Sequence, residues 1–259
     1  MSDTRLIPLS VPSIQGNAWK YVKDCLDTGW VSSAGKYVSA FEGAVARYSG
    51  AKHAVACVNG TAALHVALEL CGVRPGDEVI VPTLTFIAPV NTVRYCGAQP
   101  VFMDCDGFMN MDVDKLETFC QEECRLSQGK LINKKTKRTV KAVLPVHVFG
   151  NPCRMDRILG TARRFGLKVV EDATESLGSR YAAGPLAGKH TGTAGDFGVF
   201  SFNGNKIITT GGGGMLVTGD KKAAQTTAYL TTQAKDDSVR SIHNATGYNY
   251  RLTNIQAAL

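Results

Sequence analysis

The residues best suited to chemistry fall in three short segments. In SFNGNKIITTGGGGMLVT (201–218), Lys206 sits between an apolar, strand-like run and four consecutive glycines. A lone lysine is usually a solvated surface group. One held in a tight loop over a buried sheet edge sheds water, and desolvation turns an ammonium into a nucleophilic amine. Ser201, five residues upstream, brings a hydroxyl to the same neighbourhood. In VVEDATES (169–176), an apolar run delivers Glu171 and Asp172 to its carboxyl end, and strand alternation sends one acid to each face. An acid there serves a metal, a ribose or a protonated ring nitrogen, or simply caps a helix. In NGTAAL (59–64), the small residues Gly60, Thr61 and Ala62 open a helix after a strand. Their first-turn N–H groups, with the Thr61 hydroxyl, make a cradle for an anion, a plain N-cap being the alternative. The segment has neither the Gly-Lys-Ser/Thr ending of a Walker loop nor a three-glycine dinucleotide fingerprint.

A phosphate cradle, a strand-end acid and a loop lysine, in that order, are the parts needed to hold pyridoxal 5'-phosphate: an amine for its carbonyl and an acid for its pyridinium nitrogen. The elements that must position them are legible as apolar runs at 54–58, 78–82, 100–104, 142–146, 168–172, 197–202 and 214–218. Near-continuous apolar runs suit strands covered on both faces. Helix-length segments at 61–71, 86–96, 112–124 and 155–165 separate most of them. The alternation predicts an α/β fold, three layers with a mainly parallel sheet of about seven strands. The last two runs are joined by a Gly-rich segment, which allows local antiparallel pairing.

Composition excludes several other classes. The 259 residues include 29 Lys+Arg and 22 Asp+Glu, a net charge of +7, and 44% are hydrophobic. That balance is too apolar for a disordered chain, and no apolar run is long enough to span a membrane. The opening MSDTRLIPLSVPSIQG shows no basic region leading into an apolar stretch, so a cytoplasmic location is expected. The eight cysteines form no CxxC pair and are expected to be reduced and buried, without metal. The basic cluster Lys130, Lys134, Lys135, Lys137, Arg138 and Lys141 lacks interleaved aromatics, so it reads as a solvated loop or hairpin rather than a nucleic-acid arm. His65 and His147 are expected to be structural, and His53 and His190 exposed near turns. Arg251 suits either an anion or an ion pair at a dimer interface. The final TNIQAAL has the pattern of two turns of an amphipathic helix, from which a longer protein with a further C-terminal domain is expected.

The stretches GWVSSAGKYVSAFE (29–42), NGTAALHVAL (59–68), GDEVIVPTLTFIA (76–88), VHVFGNPCRMD (146–156), EDATESLGS (171–179), GDFGVFSFNGNKIITTGGGGM (195–215) and HNATGYNYRLTNIQAAL (243–259) make the resemblance specific. The chain resembles the DegT/DnrJ/StrS nucleotide-sugar aminotransferases, fold-type I pyridoxal-phosphate enzymes, along essentially its whole length. The resemblance implies that residues 1–259 form the aspartate aminotransferase-like large domain, with a smaller C-terminal domain absent after Leu259. It implies that Lys206 is the Schiff-base lysine and that Asp172 keeps the pyridine nitrogen protonated. Gly60, Thr61, Ala62 and Ser201 then bind the cofactor phosphate, and Phe86 stacks on the ring. Asn249, in GYNYRL, reaches the phosphate in a neighbouring subunit, which implies a homodimer with shared active sites.

Two positions depart from the commoner family pattern. Glu175, near the ring hydroxyl, replaces a Gln or His, and Gly212 replaces a Glu in the glycine run. With the opening PLSVPSIQGNAWKYV, they resemble the subgroup that aminates UDP-linked 4-keto-6-deoxy-N-acetylhexosamines for bacillosamine- or legionaminic-acid-type sugars. L-Glutamate is the expected amino donor. Lys206 speaks against the family's dehydratases, which carry histidine there, whereas a non-catalytic cofactor-binding or regulatory module stays open as the alternative.

Overall fold

The structure, a computed structural model, describes residues 6–8, 10–237 and 239–259. Residues 1–5 and Leu9, on which the reading of the opening segment partly rests, lie outside the described residues.

Each of the seven apolar runs meets a strand, though the strand near 142–146 lies earlier, over Thr139–Val143, and two further strands join them. They are β1 (His53–Cys57), β2 (Glu78–Pro82), β3 (Gln99–Met103), β4 (Cys124–Ser127), β5 (Lys130–Asn133), β6 (Thr139–Val143), β7 (Lys168–Asp172), β8 (Phe197–Ser201) and β9 (Gly214–Thr218). The main order is β1-β9-β8-β7-β6-β2-β3. From β3 to β8 neighbours on this path pair in parallel, and β9 runs antiparallel to both β8 and β1. The reversal follows from the connection: residues 202–213 contain no crossover helix, so the chain returns beside the strand it left.

Helices α1 (Ala18–Thr28), α2 (Lys36–Ser49), α3 (Gly60–Leu70), α4 (Ile87–Tyr95), α5 (Val113–Thr118), α6 (Met155–Phe165), α7 (Lys221–Thr231) and α8 (Asn254–Ala258) complete the three layers. Strand alternation divides the core cleanly. Cys57, Val79, Val81, Val170, Val199 and Leu216 pack with α3 on one face. Their neighbours go to the other, with Ile80 and Val169 against α6 and Ala56, Phe200, Met215 and Val217 against α2. The same parity decides where functional side chains point. Asp172 and Ser201 lie on the α3 face, two residues beyond Val170 and Val199, whereas Glu171 falls on the α6 face.

Two expectations need correction. The helix expected at 112–124 is shorter: α5 passes into a π-helical turn at Phe119–Glu123, and Cys124 begins β4. Then β4 and β5 form an antiparallel hairpin whose turn residues, Gln128 and Gly129, both have positive φ. The basic cluster falls on the next antiparallel pair, with Lys130 on β5, Lys134, Lys135, Lys137 and Arg138 in the turn and Lys141 on β6, so it is a hairpin, held in the core by Leu131 and Val140. His190 is buried rather than exposed: its Nε2 accepts from the Gly178 N–H and its Nδ1 meets the Thr191 carbonyl. His53 is half-buried at the start of β1.

The chain ends of this region meet at Asn254. Its Nδ2 donates to the Trp30 carbonyl at 2.7 Å and its Oδ1 accepts from the Tyr37 N–H at 3.0 Å. A capping box between Thr253 and Gln256 starts α8, in keeping with the helical pattern of TNIQAAL. No described helix is long and apolar enough to cross a membrane.

Candidate active site

Most of the predicted residues converge at the carboxyl edge of the sheet. A cleft of about 300 Å³ is lined by Asn59, Gly60, Thr61, Leu64, Phe86, Asp172, Thr174, Glu175, Ser201, Asn203, Asn205 and Lys206, among others. Carboxyl ends of β1, β7 and β8 and the N-terminus of α3 meet there, the edge at which open α/β sheets hold ligands.

At the α3 end, the capping residue is Asn59, which nothing in the sequence singles out. Its Oδ1 accepts from the Ala62 N–H at 2.7 Å. The expected cradle is therefore narrower, because the Ala62 N–H already has its partner. The N–H groups of Gly60 and Thr61 make no hydrogen bond among the described residues and are left for an anion, beside the Ser201 hydroxyl. Close packing holds them there. A Cβ on Gly214 would sit on the Asn59 carbonyl carbon and 2.6 Å from the Gly60 nitrogen. Gly214→Ala is therefore expected to lower stability by roughly 1–3 kcal/mol, the usual range for overpacking. A chemical denaturation midpoint unchanged from that of the parent chain would refute this packing account.

Asp172 is buried at the floor of the cleft. Its Oδ1 accepts from the Thr174 N–H at 3.0 Å. Burial pushes its carboxyl above the usual carboxylate range, while the Thr174 hydrogen bonds and the Lys206 charge pull the other way. Lys206 rides on the loop between β8 and β9, whose base is closed by hydrogen bonds from Phe202 N–H to Gly213 O and from Thr210 N–H to Phe202 O. Its ammonium donates to Glu175 Oε1 at 3.2 Å, and Glu175 Oε2 accepts from the Phe149 N–H at 3.1 Å. The residue that departs from the family pattern is thus the counter-ion of the candidate nucleophile. Phe86 stands 76% exposed at the cleft wall, leaving its ring free to cover a flat ligand.

Asn249 is not part of this cleft. Tyr248 and Tyr250 stack at 4.8 Å and pack around His65 on α3, and Asn249 between them is exposed. Arg251 makes an intrachain ion pair with Glu42 at 2.6 Å, so neither the expected anion nor a subunit-interface pair is needed to explain it. His147 is structural, as expected. Its Nδ1 accepts from the Cys153 N–H and its Nε2 meets Glu171. All eight cysteines are free and seven are buried; burial pushes the thiols of Cys57, Cys96 and Cys120 up to about 12, which removes them as nucleophiles at neutral pH. No group of three or more metal-ligating side chains occurs among the described residues.

The cleft fits pyridoxal 5'-phosphate on its own chemistry. It offers unpartnered N–H groups and a hydroxyl at one end, a buried acid, an amine across from it and an exposed aromatic ring. The chain belongs to the DegT/DnrJ/EryC1/StrS aminotransferase family, whose profile matches residues 12–259. Members of that family depend on pyridoxal 5'-phosphate. The chain is 48% identical over 260 residues to the GDP-perosamine synthase of Caulobacter vibrioides, covering 100% of this chain and 64% of that protein. It is 42% identical over 255 residues to the GDP-perosamine synthase of Escherichia coli O157:H7, covering 98% and 65%. The fold superposes on a DegT/DnrJ/EryC1/StrS aminotransferase from Brucella abortus with a TM-score of 0.82 at 31% identity, covering 93% of this chain and 61% of the other. The chain thus spans just under two thirds of the length of these relatives.

Proposed function

We propose that the protein carrying this chain is a pyridoxal-phosphate-dependent aminotransferase that converts a nucleotide-linked keto sugar to the amino sugar, with L-glutamate as amino donor. The observation that carries the reading is the convergence of Lys206, the buried Asp172 and the free N–H pair of α3 in one cleft.

When bound, the cofactor supplies a carbonyl that exchanges between amines and a ring that withdraws electrons from the adjoining carbon. Gly60 and Thr61 N–H groups and the Ser201 hydroxyl grip its phosphate, and Phe86 covers one face of the ring. Asp172 holds a proton at the ring nitrogen. The Lys206 amine takes a proton from the α-carbon of the donor and later returns one at the carbon derived from the sugar ketone. Glu175 holds the Lys206 side chain toward the reacting atoms.

The nucleotide is read as GDP, because three relatives above 40% identity are named GDP-perosamine synthases. The UDP-linked 4-keto-6-deoxy-N-acetylhexosamine expected from the motifs rests on Glu175, Gly212 and the opening segment alone, and stands second. A homodimer with shared sites is part of the reading: Asn249 faces solvent outside its own cleft, where a second copy can receive it. The test is a visible absorption titration with pyridoxal 5'-phosphate, followed by borohydride reduction and peptide mapping. A band fixed on Lys206 is the expected result. Absence of any band, here and in a chain extended to the length of its relatives, would sink the cofactor assignment.

A further inference from the structure

Glu171, next to the residue assigned to the ring nitrogen, is wholly buried on the opposite face of β7 and touches nothing in the cleft. It is nevertheless the most heavily bonded carboxylate described. Oε1 accepts from the N–H groups of Ala194 at 2.7 Å and Gly195 at 2.6 Å. Oε2 accepts from the Gly192 N–H at 3.0 Å, the Tyr181 hydroxyl at 3.3 Å and His147 Nε2 at 3.0 Å. The tautomer follows from geometry: Cys153 N–H donates to His147 Nδ1 at 3.0 Å, which leaves the ring proton on Nε2, aimed at Glu171.

His147 also closes a ring of bonds. Its backbone N–H donates to the Asp172 carbonyl at 3.0 Å while its imidazole donates to Glu171. Two consecutive residues of β7 are thus tied to one histidine, one by its side chain and one by its main chain. Asp172 N–H is held by the Pro145 carbonyl from the same segment. The 192–195 loop is drawn in so closely that a Cβ on Gly198 would overlap the Gly192 carbonyl. Burial works against an ionised Glu171, yet hydrogen bonds from His147 and from the Gly195 and Ala194 N–H groups hold its carboxyl below the usual range. An apolar residue of the same volume would leave these five buried donors, three of them main-chain N–H groups, without an acceptor.

We propose that Glu171 is a positioning residue for the reaction: through His147 and the 192–195 loop it fixes the end of β7 so that the Asp172 carboxylate meets the ring nitrogen of the cofactor. This rests on the cofactor reading above. Glutamine is the informative replacement, because both carboxylate oxygens accept from at least two donors, and either amide orientation sets an NH₂ group against them.

The experiment compares the wild-type chain with Glu171→Gln, Tyr181→Phe and the core control Ile158→Val. Each is titrated with pyridoxal 5'-phosphate by absorbance, and visible circular dichroism of the bound cofactor is followed against pH. Glu171→Gln is expected to weaken binding at least tenfold and to move the pH midpoint of the visible dichroism. Tyr181→Phe, which removes one donor of five and keeps the fold, is expected to move the same midpoint by less. Ile158→Val is expected to match wild type in both. A folded Glu171→Gln with wild-type affinity and pH midpoint overturns the proposal. Should that variant not fold, a wild-type midpoint in Tyr181→Phe overturns it. A wild-type chain that takes up no cofactor would instead count against the cofactor reading itself.

Discussion

Lys206→Ala is expected to abolish borohydride-trapped cofactor and to lower transamination by about 10³-fold or more, the upper range for loss of a positioned acid–base group that is also the nucleophile. The fold should survive. Lys206 lies on a loop whose base is closed by main-chain hydrogen bonds, and its one ion pair, with Glu175, is partly solvated. Pairs of that kind contribute about 0–1 kcal/mol. The mutant should therefore melt with wild-type cooperativity while losing function, and added pyridoxal 5'-phosphate should bind reversibly through the α3 N–H groups and Asp172. Peptide mapping and a coupled glutamate-dependent assay, the latter on the protein extended to the length of its relatives, check both halves. Retained turnover would remove Lys206 from the mechanism.

Asp172→Asn carries two effects of opposite sign. In the cofactor-free chain the carboxyl is raised above its unfolded value by burial. A raised acid favours the fold in its protonated form, so its contribution is most favourable below the unfolded value of about 3.9 and declines as pH rises through the folded one. At neutral pH the fold therefore bears the cost of that raised carboxyl, and asparagine relieves it. The cofactor-free mutant should be more stable than wild type at pH 7, with the difference vanishing below about pH 4. Loaded enzyme should show the reverse. Without a negative partner the ring nitrogen loses its proton, and turnover is expected to fall by about 10²–10⁴-fold, the range for a lost acid–base contact. Thermal melts at two pH values and one activity assay separate the effects; a mutant destabilised at pH 7 without cofactor would contradict the burial argument.

Much of the site could be read from sequence because its residues lie at the ends of strongly apolar strands. Alternation along VVEDA sends Asp172 and Glu171 to opposite faces, but it does not say which face holds the ligand. That depends on where α3 packs, and α3 is more than 100 residues away. Asn59 does not stand out in the sequence, because Gly60 and Thr61 also suit a helix start. The distinction is whether the side chain points back to Ala62, which only the strand-to-helix geometry decides. The glycines leave chain direction at β9 open, and a helix-like pattern ending at Cys124 hides the hairpin of β4 and β5. His190 reads as exposed in sequence because a histidine near a turn is usually solvated, whereas this turn folds back against Phe200. The Glu171 network is invisible in sequence, since its donors come from three separate segments and three of the five are main-chain groups.

The position of β1 has a consequence in time. Its described sheet partner is β9, whose residues follow it by more than 150 positions. At roughly 5–20 residues per second of synthesis, β1 leaves the ribosome on the order of ten seconds before that partner exists. During that interval an apolar strand is without the neighbour that satisfies its main chain, and Asn59 and Gly60 are without Gly214 behind them. The anion cradle is thus assembled only after β9 has emerged, so a nascent chain cannot capture its cofactor early and use it as a folding template.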